Sequence, residues 1–224
     1  MRRVPSPAAL VFDLDGTLVD SRQDLATGIN ALRGERGLAP LTLSAVQGMV
    51  GEGARVLVGR ALPEVAPDDL DAALRRFLDL YAGVCTDATV AYPGIPAAIA
   101  TLARTYPLGL LTNKPERMTR ELLDHLGLAA AFRVVVGGDT LATRKPDPEG
   151  LRWVADRLGA AVADTLLIGD SSIDARTARA AGARLALVTW GFRPREELEA
   201  AAPELLCESA ADLVAALLPK APSS

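Results

Sequence analysis

Short apolar runs recur along the chain, each closed by a polar or turn-forming residue. Ala8 to Phe12 lies between Pro7 and Asp13, and Leu108 to Thr112, Arg133 to Val136, Thr165 to Ile168 and Leu185 to Thr189 look alike. Runs of this length without alternation suit strands buried on both faces of a parallel sheet. Helical patterns lie between them. Ile95 to Arg104 follows Pro93-Gly94, Pro115 to Leu126 stops at Gly127, Pro148 to Leu158 stops at Gly159, and Ile173 to Ala181 stops at Gly182. Proline in the first turn and glycine after the last are the usual punctuation of helices. Strands alternating with helices predict an α/β fold: a Rossmann-like parallel sheet covered on both faces.

Residues from about 22 to 88 break the alternation. Leu25 to Arg36, Leu43 to Met49, Ala54 to Leu62 and Asp68 to Val84 read as helices, and no strand signal appears among them. The second and third flank a Gly51-Glu52-Gly53 loop. The expected organisation is a core of residues 1–20 and 90–224, with residues 21–89 inserted after the first strand as a small helical-bundle cap. Hinges are expected near residues 20–22 and 86–92, and the tail from Pro219 to Ser224 is expected to fray.

Composition sets limits on this picture. The 224 residues are 50% hydrophobic but only 4% aromatic, so the core is built mainly from Ala, Leu and Val. A net charge of −4 gives no global field for nucleic acid or anionic lipid, so any anion must be bound locally. The two cysteines, Cys85 and Cys207, form no CxxC and fit a reducing compartment. The start, MRRVPSPAALVF, imitates a signal peptide but is interrupted by Pro5 and Pro7 and ended by Asp13. No stretch approaches the roughly 18 apolar residues of a spanning helix. A soluble, cytoplasmic protein without nucleic-acid or membrane partners is expected, as a monomer or small homo-oligomer. Two absences narrow the chemistry. There is one histidine, His125, near a helix end, and no GxSxG elbow, which disfavours Ser-His-Asp catalysis. Of 24 basic residues only Lys114, Lys145 and Lys220 are lysine, so a well-placed lysine stands out as a compact charge.

The first apolar run ends in VFDLDGTLVDS, with carboxylates at Asp13 and Asp15. A calcium loop would need glycine at its sixth position and glutamate at its twelfth, but Gly16 is fourth from Asp13 and Asp24 is twelfth. A hairpin at Asp15-Gly16 would need a matching strand, whereas Leu18 to Ser21 leads into a helix. Ligands of open parallel sheets sit at the carboxyl ends of strands, where Asp13 begins. Other strand ends add Thr112-Asn113-Lys114, with free N–H groups of the next helix, and Gly169-Asp170-Ser171-Ser172-Ile173-Asp174. Between them Lys145 precedes a proline-braced helix start. Taken singly, Asn113 is also readable as a helix cap and Lys145 as a solvated loop residue. Together, carboxylates for a hard cation and a lysine with N–H donors for phosphate oxygens form a phosphoryl-transfer constellation.

The ordered set DxDGT, Thr-Asn, Lys-Pro and GDSxxD, at residues 13–17, 112–113, 145–146 and 169–174, resembles the four motifs of the haloacid dehalogenase superfamily. Gly51-Glu52-Gly53-Ala54, Thr112-Asn113-Lys114-Pro115, Gly137-Gly138-Asp139 and Trp190-Gly191-Phe192 are further similar to the bacterial phosphoglycolate phosphatase family. The resemblance implies an Mg²⁺-dependent phosphatase for a small phosphorylated metabolite, with 2-phosphoglycolate the leading candidate. It implies Asp13 as nucleophile forming an aspartyl-phosphate and Asp15 as general acid–base. Mg²⁺ would be held by the Asp13 carboxylate, the Asp15 carbonyl and Asp170, with Asp174 orienting water or Lys145. Thr112, Asn113 and Lys145 would hold phosphoryl oxygens. Arg55, beside the glycine loop, is readable as a solvated helix arginine and is also a candidate for a substrate carboxylate. A sugar-phosphate mutase of the same superfamily and a non-catalytic binding module are the alternatives.

Overall fold

The computed structural model describes residues 6–218; the expected fraying of the tail lies outside them. Six strands form one parallel sheet. They are β1 (Ala9–Phe12), β4 (Leu108–Leu111), β5 (Phe132–Val136), β6 (Thr165–Gly169), β7 (Arg184–Val188) and β8 (Leu205–Cys207), in the order β5-β4-β1-β6-β7-β8. The chain runs outward from β1 through β4 to β5, then returns to β1's other side for β6, β7 and β8. The switch point is therefore β1, whose neighbours are β4 and β6. A crevice opens at the carboxyl ends of strands where the direction of winding reverses.

The pleat divides β1 between two apolar layers. Leu10 and Phe12 join a buried cluster with Ile95, Ile99 and Leu102 of α5 (Ile95–Leu102), Leu122 of α6 (Glu116–His125) and Leu213 of α10 (Ala210–Leu217). Ala9 and Val11 face Leu151 and Val154 of α7 (Glu149–Arg157), Ala178 of α8 (Ser172–Ala181) and Leu198 of α9 (Arg195–Ala200). Every residue of β1 is buried, which explains the unbroken apolar run.

A third buried cluster belongs mainly to the helices between β1 and β4: α1 (Arg22–Gly34), α2 (Leu43–Met49), α3 (Ala54–Ala61) and α4 (Leu70–Ala82). Leu25, Ala26, Ile29 and Leu32 present one face of α1 at helical spacing. Phe77 and Tyr81 of α4 stack with ring centroids 5.5 Å apart, against Gly28 of α1. A Cβ at Gly28 would come within 3.2 Å of the Phe77 ring, so glycine sets how closely α1 and α4 approach. Met118 of α6 and Phe192 complete this cluster from the sheet side.

Two features differ from expectation. The segment after Asp15 does form a short strand: β2 (Val19–Asp20) pairs antiparallel with β3 (Val90–Ala91), joining both chain crossings between sheet and helices. Two-residue strands carry no periodicity, so only their pairing reveals them. The edge strand β8 and helices α9 and α10 were likewise not anticipated; β8 has three residues and is defined by its ladder with β7.

Asp24 fastens the crossing. Its buried carboxylate, in the first turn of α1, accepts hydrogen bonds from the backbone N–H groups of Ala88 (3.0 Å) and Thr89 (2.7 Å) and from the Thr89 hydroxyl (2.7 Å). Asp24→Ala would leave the buried N–H and hydroxyl of Thr89 unpaired and free the N–H of exposed Ala88, at a cost of about 2–3 kcal/mol. In thermal unfolding this variant is expected to melt about 5–10 °C lower. An unchanged melting temperature would show that the staple is redundant.

Candidate active site

The carboxyl ends of β1, β4 and β6 gather the polar residues. Asp13 follows β1, Thr112-Asn113-Lys114 follow β4, and Gly169 of β6 leads into Asp170 and the start of α8. Asp13, Asp170 and Asp174 each bring one carboxylate oxygen within 4.8 Å of the others. The Lys145 ammonium lies 2.8 Å from Asp13 Oδ1 and 2.7 Å from Asp174 Oδ1. The second oxygen of Asp174 accepts from the Ser171 hydroxyl at 2.6 Å, while Asp170 Oδ2 accepts from the Phe192 N–H at 2.6 Å. Gly16, at φ +83°, and Gly191 close on Asp170 from two sides; a Cβ on either would overlap its side chain.

Burial pushes the Asp13 carboxyl up to about 6; the Lys145 charge pulls against this and the Asp174 charge adds to it. Asp170 is raised well above the ordinary carboxylate range by burial, with Asp174 and Asp13 adding repulsion. Burial alone would lower Lys145, but attraction to Asp13 and Asp174 more than reverses it and keeps the ammonium charged.

Asp15 lies in different company. Its Oδ1 accepts from the Ser21 hydroxyl at 2.6 Å and from Lys114 Nζ at 3.1 Å, with Oδ2 3.3 Å from the same ammonium. Lys114 Nζ also donates to the Tyr81 hydroxyl at 2.6 Å. Tyr81 arrives from α4, so this contact joins the inserted helices to the sheet. Burial lifts its phenol to about 12, which keeps it protonated at neutral pH. The two lysines thus divide the two carboxylates of DxD between them. The sequence places Lys114 in the strand-end cradle with Thr112 and Asn113 but assigns it no role of its own; its pairing with Asp15 and Tyr81 emerges only in the fold.

Several readings are now separable. Lys145 is buried, not a solvated loop residue. Asn113 is not a cap: α6 begins after Pro115, and Asn113 Nδ2 donates to the carbonyls of Gly51 and Lys145, both at 2.9 Å. Its buried Oδ1 has no partner among the described residues, and neither has the Thr17 hydroxyl. The Thr112 hydroxyl accepts from the Lys114 N–H at 3.3 Å. Gly51 and Gly53 line the pocket above the carboxylates, and their φ values of +120° and +93° suit glycine. Arg55 does not line it. It pairs with Asp71, both side chains being exposed, because α3 turns it toward α4. His125 is exposed at the end of α6.

Residues 10–188 match the family model described as haloacid dehalogenase-like hydrolase. The chain belongs to this family. It is 46% identical over 195 residues to a phosphoglycolate phosphatase of Rhodospirillum rubrum, with 83% of this chain and 81% of that protein covered. It is 38% identical over 215 residues to phosphoglycolate phosphatase 1 of Pseudomonas aeruginosa, covering 93% and 79%. In fold it is similar to a haloacid dehalogenase-like family hydrolase of Streptococcus pneumoniae, with a TM-score of 0.86 at 21% identity, covering 95% of this chain and 99% of that one. No helix among the described residues is long and apolar enough to cross a membrane.

The donor set suits a hard divalent cation. All three clustered side chains offer carboxylate oxygen, and with Asp15 the site holds four acids against two ammoniums. The raised Asp13 and Asp170 carboxyls express their burial first and the repulsion of neighbouring acids second, and a bound cation offsets both. The sign for the metal-free protein follows. A carboxyl raised in the fold from 3.8 to about 6 binds its proton more tightly folded than unfolded. Its contribution to stability is therefore lost as pH rises through that window. Added divalent cation needs the ionised oxygens, so it is expected to raise the melting temperature more at about pH 7.5 than at about pH 5. Equal shifts at both pH values would count against the cluster as the binding site.

Proposed function

We propose that this chain is a cytoplasmic Mg²⁺-dependent phosphatase that hydrolyses a small phosphate monoester, 2-phosphoglycolate, to glycolate and phosphate. The observation that carries this reading is the split of the DxD pair: Asp13 sits with Lys145, Asp170 and Asp174, whereas Asp15 sits with Ser21 and Lys114. This split supports a reading in which one carboxylate attacks and the other transfers protons. The names of the relatives from R. rubrum and P. aeruginosa support the substrate.

In the first half-reaction Asp13 attacks phosphorus in line, forming an acyl-phosphate O–P bond as the ester P–O bond breaks. Asp15 gives its proton to the departing alkoxide. In the second, Asp15 takes a proton from a water that attacks the same phosphorus, releasing phosphate and the Asp13 carboxylate. Thr112, Asn113 and Lys145 hold phosphoryl oxygens while charge redistributes. Asp174 positions Lys145, since its two oxygens are engaged by that ammonium and by Ser171. Mg²⁺ would be held by the carboxylates of Asp13 and Asp170 and the carbonyl of Asp15. It supplies charge neutralisation between the anionic nucleophile and the anionic substrate. Residues 21–89 act as a cap over the core of residues 1–20 and 90–224, excluding water until the ester is bound. The buried free thiols Cys85 and Cys207 suit a reducing compartment. The partner is a small phosphorylated metabolite, not nucleic acid or membrane, and a monomer or small homo-oligomer suffices.

Phosphate release from 2-phosphoglycolate with Mg²⁺ tests the reading. Asp13→Asn is expected to lose nearly all release with its circular dichroism unchanged. Asp15→Asn is expected to slow turnover by about 10²–10⁴-fold while retaining the cation-induced rise in melting temperature. Full turnover by Asp13→Asn would rule out the covalent route.

A further inference from the structure

Lys114 and Tyr81 have more hydrogen-bonding capacity than the protein uses. An ammonium has three N–H groups. Asp15 and the Tyr81 oxygen are the only side-chain partners of Lys114 Nζ among the described residues; the two Asp15 oxygens lie too close together to take separate N–H groups, so they share one and one N–H is left over. Tyr81 accepts from Lys114, so its own O–H points elsewhere, with no acceptor among the described residues. Both side chains are buried and both line the pocket. Their surroundings there are largely apolar, including Leu25, Leu57 and Phe77. Two adjacent donors with unfilled capacity in an apolar wall are a costly arrangement without a ligand. Stacking on Phe77 and the close approach of Gly28 fix the Tyr81 ring in place.

The ligand they suit is an anion, and its position follows from the chain of contacts. The phosphorus lies at Asp13 and the ester oxygen at Asp15. Lys114 Nζ lies 3.1 Å from Asp15 Oδ1, so it borders the leaving-group end of the site. The other lysine of the site stands between Asp13 and Asp174, at the phosphoryl end rather than at the leaving group. Arg193, the remaining pocket-lining cation, donates to the carbonyls of Gly48 and Val50. We propose that Lys114 and Tyr81 together receive the carboxylate of the leaving group and so determine specificity for a carboxylate-bearing phosphate ester. This rests on the phosphatase reading above. It also assigns to Lys114 the role for which Arg55 had been a candidate.

The test compares 2-phosphoglycolate with ethyl phosphate, in which a methyl group replaces the carboxylate. The readout is the ratio of kcat/KM for the two esters. Any loss that Lys114 causes through Asp15 falls on both esters and cancels in the ratio. Lys114→Met is expected to lower the ratio about 30–100-fold, and Tyr81→Phe, which removes only the oxygen, about 5–10-fold. An unchanged ratio in folded Lys114→Met or in Tyr81→Phe would overturn the carboxylate subsite and leave Lys114 as a positioning residue for Asp15. Turnover of neither ester by the wild-type protein would defeat the phosphatase reading instead. The ratio of dissociation constants for the two esters, measured by calorimetry on Asp13→Asn with and without Tyr81→Phe, then decides the subsite: a fall in the ratio sustains it and no change overturns it.

Discussion

Mutual repulsion among buried carboxylates is the constraint around which this molecule is arranged. Asp13, Asp170 and Asp174 lie within 4.8 Å of one another, with Asp15 two residues from Asp13 along the chain. In a low-dielectric setting such a cluster opposes folding unless each charge has a partner. Two lysines share the work, Lys145 between Asp13 and Asp174 and Lys114 at Asp15. Backbone donors and glycines do the rest. The Phe192 N–H serves Asp170, and Gly16 and Gly191 leave room for its carboxylate. The parallel sheet makes this possible by delivering side chains from β1, β4 and β6 to one edge at a switch point.

Much of this was legible in the chain because buried parallel strands leave a plain signature. The runs ending at Asp13, Thr112 and Gly169 are apolar throughout and stop at polar residues, so strand ends and candidate chemistry announce each other. Proline and glycine marked the helices between them. The short ribbon of β2 and β3 and the edge strand β8 left no such trace. Their structure comes from pairing with residues distant in sequence, Val19 with Ala91 and Leu205 with Ala186. The same limit applies within the site. Lys114 was conspicuous as a rare lysine, but its partners Asp15 and Tyr81 are 99 and 33 residues away. Arg55 was readable either as a solvated helix arginine or as a substrate contact, and its exposed pair with Asp71 fits the first, since neighbourhood to the glycine loop does not decide which face a side chain takes.

Phe192 shows how the parts are joined. Its N–H is held by Asp170, its carbonyl accepts from Gln47 of α2 at 2.8 Å, and its ring is buried in the helical cluster. Arg193 beside it reaches the carbonyls of Gly48 and Val50, and Asn113 reaches that of Gly51. The helices are therefore docked on the sheet through the same residues that frame the acid cluster.

The β2–β3 ribbon sits at the foot of the site. Asp15 bridges to Val19, the first residue of β2, and its carboxylate is held by Ser21, the residue after that strand. Both strands through which the chain enters and leaves the helices are thus tied within a few residues of the Asp15 carboxylate. The ribbon and Asp15 are thus one connected unit: the strands that carry the chain into and out of the helices share their anchoring contacts with the second carboxylate of the DxD pair.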